Sequence, residues 1–149
     1  MKYIFFGTPR NAARLLDQLI KAGHPPDAVV CNPDREAGRK KILTPPATKL
    51  VAQTFGIPVL QPEKPGEIKN QLQTFGADIF LVLAYGSIIP KEILEIPKYG
   101  TIGVHPSLLP KYRGPSPIQT ALLNGDTKTG VTLYQIDEHM DHGNIVAQN

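Results

Sequence analysis

Residues 100–114, Gly-Thr-Ile-Gly-Val-His-Pro-Ser-Leu-Leu-Pro-Lys-Tyr-Arg-Gly, carry an apolar strand to a lone histidine, His105, and on into a stiff loop bounded by prolines. Histidine titrates closest to working pH, and open α/β folds place their sites at the edge of a parallel sheet, so chemistry is expected first at His105. Gly7-Thr8-Pro9, after the first hydrophobic run, invites a phosphate-binding reading. No G-x-G-x-x-G follows Phe6 and there is no Walker lysine, which leaves a tight strand-to-helix turn as the better account of Gly7. Arg35, Arg39, Lys40 and Lys41 are concentrated in one segment of a chain whose formal net charge is only +3, which suits a local anionic contact or a solvated charged loop. His24, His139 and His142 show no ligand spacing, so no metal is expected. Asp141, taken by itself, reads as a turn residue before Gly143.

The elements that must position these groups follow an alternating pattern. At 149 residues the chain has the length of one domain, and its 41% hydrophobic and 19% charged residues are ordinary for a globular protein. No segment is apolar for long enough to span a membrane, and Met1–Phe6 is too short for a signal peptide, so a cytoplasmic protein is expected. Cys31, the single cysteine, excludes an internal disulfide and reads as a core thiol. Strands are predicted at 3–6, 28–31, 59–60, 78–84, 101–104, 131–136 and 145–147, the first so uniformly apolar that it must be covered on both faces. Helices are predicted after Thr8 as N-cap, over 47–55, over 67–75, and from a capping box at Ser116–Gln119 to Leu123. Residues 32–46, polar and proline-bounded, read as a long loop. The fold class is α/β, a mostly parallel sheet with helices on both faces.

Beyond these local readings, the chain resembles the folate-dependent formyltransferases, above all those acting on methionyl-tRNA. The resemblance rests on colinear segments: Phe6-Gly7-Thr8-Pro9, Pro33 to Arg39, Leu43 to Pro46, Ile57 to Pro62, Ala84 to Pro90, His105 to Pro110 with Tyr112-Arg113-Gly114, Gly130-Val131-Thr132, and Met140 to Gly143. It covers nearly the whole chain and implies a Rossmann-like formyltransferase catalytic domain over residues 1–149. That domain is expected to be incomplete, cut short at its C-terminus, and without the β-barrel domain that helps grip tRNA.

The resemblance implies transfer of a formyl group from 10-formyltetrahydrofolate to the amine of initiator methionyl-tRNA. Attack of a neutral amine on a formyl carbon builds a negative oxygen and requires the amine to lose a proton. By resemblance His105 stabilises that oxygen and Asp141 orients and charges the imidazole. The family's Asn-x-His motif has its asparagine at the position of Gly103, so a donor is missing here; Asn144 is the nearest candidate to replace it, beside the plainer reading of an exposed loop residue. Tyr85, Gly86, Ser87 and Ile88, with Ser107, Leu108, Leu109 and Pro110, are the segments expected around the pterin. Arg35, Arg39, Lys40 and Lys41 are expected to meet phosphates of the tRNA acceptor arm. Two alternatives stay open: an impaired relative that binds folate or RNA, and a sugar-amine formyltransferase. Oligomeric state is not legible in the sequence.

Overall fold

A computed structural model describes residues 1–149. Its central strand β1 (Tyr3–Phe6) is buried throughout because both faces are covered. Tyr3 and Phe5 pack under α1 (Arg10–Lys21) and α2 (Ala47–Thr54), whereas Ile4 and Phe6 face the opposite core. Between these helices lie β2 (Ala28–Val30), β3 (Arg35–Ala37) and β4 (Ile42–Thr44). After β5 (Val59–Leu60), a 3-10 turn over Pro65–Ile68 leads into α3 (Lys69–Thr74), and β6 (Ile79–Val82) is followed by the short α4 (Lys91–Leu94). The chain closes with β7 (Thr101–His105), α5 (Pro117–Leu123), β8 (Thr132–Gln135) and β9 (Ile145–Gln148).

Seven strands form one sheet in the order β5-β2-β1-β6-β7-β8-β9, parallel from β5 through β7 and antiparallel at β8 and β9. The chain winds outward from β1 to β5 and returns to β6 on the other side of β1, so the switch in winding direction falls between β1 and β6. In open α/β sheets that crevice, at the carboxyl ends of the strands, is the site for ligands. Phe6, Phe80 and Tyr85 make the aromatic centre of one core, with ring centroids 5.1 and 5.4 Å apart. Each fully buried phenylalanine contributes about 1.5–3 kcal/mol.

Several local expectations are corrected. Thr8 does not cap α1: its hydroxyl donates to Tyr85 O at 2.8 Å and accepts from the Asn32 N–H at 3.3 Å, tying the turns after β1, β2 and β6 together, and Pro9 takes the N-cap place. Gly7 serves close approach, since a Cβ there would lie 2.8 Å from both Ala12 Cβ and Leu83 O. Ser116 offers no side-chain cap to α5. The loop at 32–46 holds a two-stranded hairpin, β3 with β4, whose exposed strands bury nothing and so leave no hydrophobic periodicity to read. Strand β6 stops at Val82 rather than Ala84, which sits at φ +49°. The α4 turn has too few residues to show a pattern, although Ile93 and Leu94 are buried.

Burial pushes the Cys31 thiol up to about 11 and the Tyr3 and Tyr85 phenols up to about 12, from ordinary values of 9.0 and 10.0. Above those ordinary values the unfolded chain loses protons that the fold retains, so stability falls as pH rises through them towards the folded values and is fully present below. Thermal melts are therefore expected to be level from pH 7 to about 8.5 and to drop above about 9–10, with Cys31 unreactive towards iodoacetamide until the chain unfolds. A melting temperature that rises between pH 9 and 11 would contradict this.

Candidate functional site

His105 ends β7 at the carboxyl edge of the sheet and is buried. Its Nε2 donates to Tyr112 O at 2.8 Å, and its Nδ1 lies 3.6 Å from Asp141 Oδ2. The Tyr112 carbonyl is held in place because the Tyr112 hydroxyl donates to Asp126 at 2.7 Å and accepts from Asn124 at 3.2 Å. Asp141 adopts φ +49°, a conformation that aspartate tolerates better than most residues. Its Oδ2 accepts the Gly114 N–H at 2.7 Å and its Oδ1 accepts the Tyr134 hydroxyl at 2.7 Å. One carboxylate thus gathers the end of the His105 loop, the β8 strand and the imidazole. Burial, and after it the Asp141 carboxylate, pushes the Tyr134 phenol far above its ordinary range, so it stays neutral and holds its proton for Asp141. At 3.6 Å the His105–Asp141 contact is an ion-pair distance rather than a hydrogen bond, which leaves Nδ1 free to engage a further group.

These groups face a cleft of about 480 Å³ between the carboxyl ends of β6 and β7 and the start of α5. Ala84, Gly86 and Ser87 form one wall; His105, Tyr134 and Asp141 form the other. Ser87 is anchored by donating to Asn32 Oδ1 at 2.9 Å. The arrangement places an imidazole and a carboxylate beside a pocket with apolar walls, suited to a reaction in which an oxygen gains negative charge.

The formyl transferase domain model matches residues 1–149, the whole chain. The chain belongs to the formyl transferase family. It is 47% identical over 150 residues to the methionyl-tRNA formyltransferase of Chloroflexus aggregans and 48% identical over 153 residues to that of Synechococcus sp., covering 99% of this chain and 48% of each relative. The chain therefore spans about half the length of the curated relatives it matches. Phosphoribosylglycinamide formyltransferases from Bacillus halodurans and Streptococcus pneumoniae share its fold, with TM-scores of 0.78 and 0.79 at 23% and 19% identity, over 78% and 80% of those chains. The expected α/β formyltransferase fold, mostly parallel, is what the structure has.

Within this formyl transferase scaffold the expected site residues part company. His105 and Asp141 come together across the fold, and Gly86 and Ser87 line their cleft. Tyr85 turns its ring into the core and presents only its carbonyl, already used by Thr8 and Asn32, while Ile88 is 91% exposed. Ser107 and Leu109 are buried away from the cleft, and Leu108 and Pro110 lie at the surface of the same loop. Thr132 pins that loop: its hydroxyl donates to Ser107 O and accepts from the Leu109 N–H. Gly103 sits directly opposite Tyr134 in the β7–β8 register. Asn144 lines a different cleft, beside Thr101 and Gln135, and is not brought to Gly103. Tyr134 is the site residue that reading the sequence missed; the signal for it was the pairing of the strand after the 125 turn with the His105 strand.

Arg35 pairs with Glu63 at 2.6 Å at the base of the exposed hairpin, and Arg39, Lys40 and Lys41 stand in its turn. His139 and His142, for which no ligand spacing was expected, stand with Asp137 so that ligand atoms of the three lie within 4.8 Å of one another, all exposed, with His142 Nδ1 3.2 Å from Asp137 Oδ2. Replacing Thr132 with valine is expected to lower stability by about 1–3 kcal/mol, because the Leu109 N–H and Ser107 C=O lose a buried partner. Chemical denaturation of Thr132→Val measures this, and an unchanged midpoint would show that the hydroxyl does not hold the loop.

Proposed function

We propose that this chain carries the catalytic centre of an enzyme that transfers a formyl group from 10-formyltetrahydrofolate to the amine of initiator methionyl-tRNA. The observation that carries the reading is the convergence of His105 and Asp141 on one cleft, in a chain 47% identical to methionyl-tRNA formyltransferase from Chloroflexus aggregans. The acceptor nitrogen bonds to the formyl carbon, the bond from that carbon to the folate nitrogen breaks, and the proton lost by the acceptor nitrogen is gained by the folate nitrogen. His105, donating through Nδ1, meets the charge that builds on the formyl oxygen, and Asp141 stabilises the imidazolium that does so. Gly86 and Ser87 supply backbone groups and little bulk along the wall where a flat heteroaromatic ring would lie.

The turn carrying Arg39, Lys40 and Lys41 projects from the body of the fold, and its cations suit phosphates of the tRNA acceptor arm. Arg35 contributes less to such a contact, because its guanidinium is engaged by Glu63. Gly103 favours a second reading, an impaired relative that binds folate or RNA without transfer, since glycine offers no side-chain donor.

Formyl transfer from 10-formyltetrahydrofolate to methionyl-initiator tRNA decides between them. The parent chain is expected to transfer, and His105→Ala to lose at least about a hundredfold in rate. Equal rates in the two would remove His105 from the mechanism, and folate binding without transfer by the parent would favour the second reading. Replacing Arg39, Lys40 and Lys41 together with alanine should weaken tRNA binding and make its salt dependence shallower by about two in slope. An unchanged slope would assign the turn to solvent.

A further inference from the structure

Gly103 and Tyr134 are opposed residues of β7 and β8, and the space that one lacks is filled by the other. A Cβ on residue 103 would lie 2.6 Å from Tyr134 Cζ and 2.9 Å from Tyr134 Oη, with Cε1 nearer still. A larger side chain at 103 and the tyrosine ring therefore exclude each other. The hydroxyl stands 2.9 Å from that Cβ position, somewhat beyond the two-bond reach of an asparagine amide from its own Cβ. We propose that Tyr134 takes over the amine-orienting part of the missing amide's work: its ring occupies the space of the side chain at 103, and its hydroxyl oxygen receives an N–H of the acceptor amine, the formyl oxygen being left to His105. The proposal rests on the formyl-transfer reading above.

The hydrogen-bond inventory favours this role. A phenol has one proton, and Tyr134 gives it to Asp141 Oδ1 at 2.7 Å, so the remaining lone pairs of Oη are open to a donor. An amine is such a donor. The other oxygen of the same carboxylate lies 3.6 Å from His105 Nδ1. An amine held at Oη and a formyl oxygen held at Nδ1 are thus brought side by side across one carboxylate, with the nitrogen lone pair left free to attack. Because burial and Asp141 keep the phenol neutral, it orients the amine as a fixed dipole and does not compete as a base. An aromatic ring over a strand glycine is also a known way to stabilise a sheet, but that needs only the ring. The bond to Asp141 and the position on the cleft wall are what ring packing leaves unexplained.

The test compares the full parent chain with Tyr134→Phe, Gly103→Asn, Tyr134→Ala and the double variant Gly103→Asn/Tyr134→Ala, measuring kcat and KM for methionyl-tRNA, folate binding by fluorescence, and melting temperature. Tyr134→Phe keeps the ring and is expected to lower kcat about a hundredfold with folate binding nearly unchanged, and to lower the melting temperature only as far as the lost bond to Asp141 requires. Gly103→Asn alone should lower the melting temperature, because its side chain meets the ring. The double variant should recover both stability relative to Gly103→Asn and transfer relative to Tyr134→Ala. Full activity in Tyr134→Phe overturns the proposal and leaves the formyl-transfer reading standing, with the tyrosine reduced to packing. An inactive parent with an active double variant also overturns it, showing that Tyr134 fills the space without doing the work. Folate binding with no transfer in parent or double variant sinks both the proposal and the methionyl-tRNA reading.

Discussion

The Asp141 carboxylate is the interaction on which the site depends. It accepts from the Gly114 backbone, accepts from the Tyr134 hydroxyl and faces the His105 imidazole, so three separately folded segments share one negative charge. Its side chain is largely buried, where unpaired charge is costly; two hydrogen bonds and the nearby imidazole offset that cost. Asp141 stands with a left-handed backbone in the turn that carries its carboxylate back to the sheet edge.

A second layer of constraint holds the partners of that charge still. Thr132, opposite His105 in the β7–β8 register, binds Ser107 O and the Leu109 N–H, and Gln148 of β9 adds donors to Thr132 and to Leu109 O. Tyr112, through Asp126 and Asn124, fixes the carbonyl that takes the His105 Nε2 proton. Thr8 and Asn32 lock the opposite wall through Tyr85 O. Both sides of the cleft are therefore tied by side-chain hydrogen bonds, many of them to backbone groups, and residues such as Ser107 and Tyr85 support it from behind.

The exchange of bulk proposed for Gly103 and Tyr134 rests on their being opposed across an antiparallel pair. Opposed residues on one face of such a pair lie within about 5 Å, so a side chain lost from one strand can be supplied by the other without moving the backbone.

Hydrophobic runs and helix periodicity determined the core strands β1, β2, β6 and β7 and the helices on both faces, because burial of apolar residues is written locally in the chain. The motif around His105 likewise placed that histidine at the end of a strand from sequence alone, and β7 ends there. The β3–β4 hairpin, the short α4 and the work of Thr8 left no such trace, since exposed strands, single turns and long-range hydrogen bonds have no periodicity. The pairing of Asp141 with His105 was implied by resemblance and not by local pattern, and only the tertiary structure decided that Asn144 stands apart from Gly103 and that Tyr134 fills the place beside it. Those depend on strand register and loop closure, which are set by contacts between residues far apart in the chain.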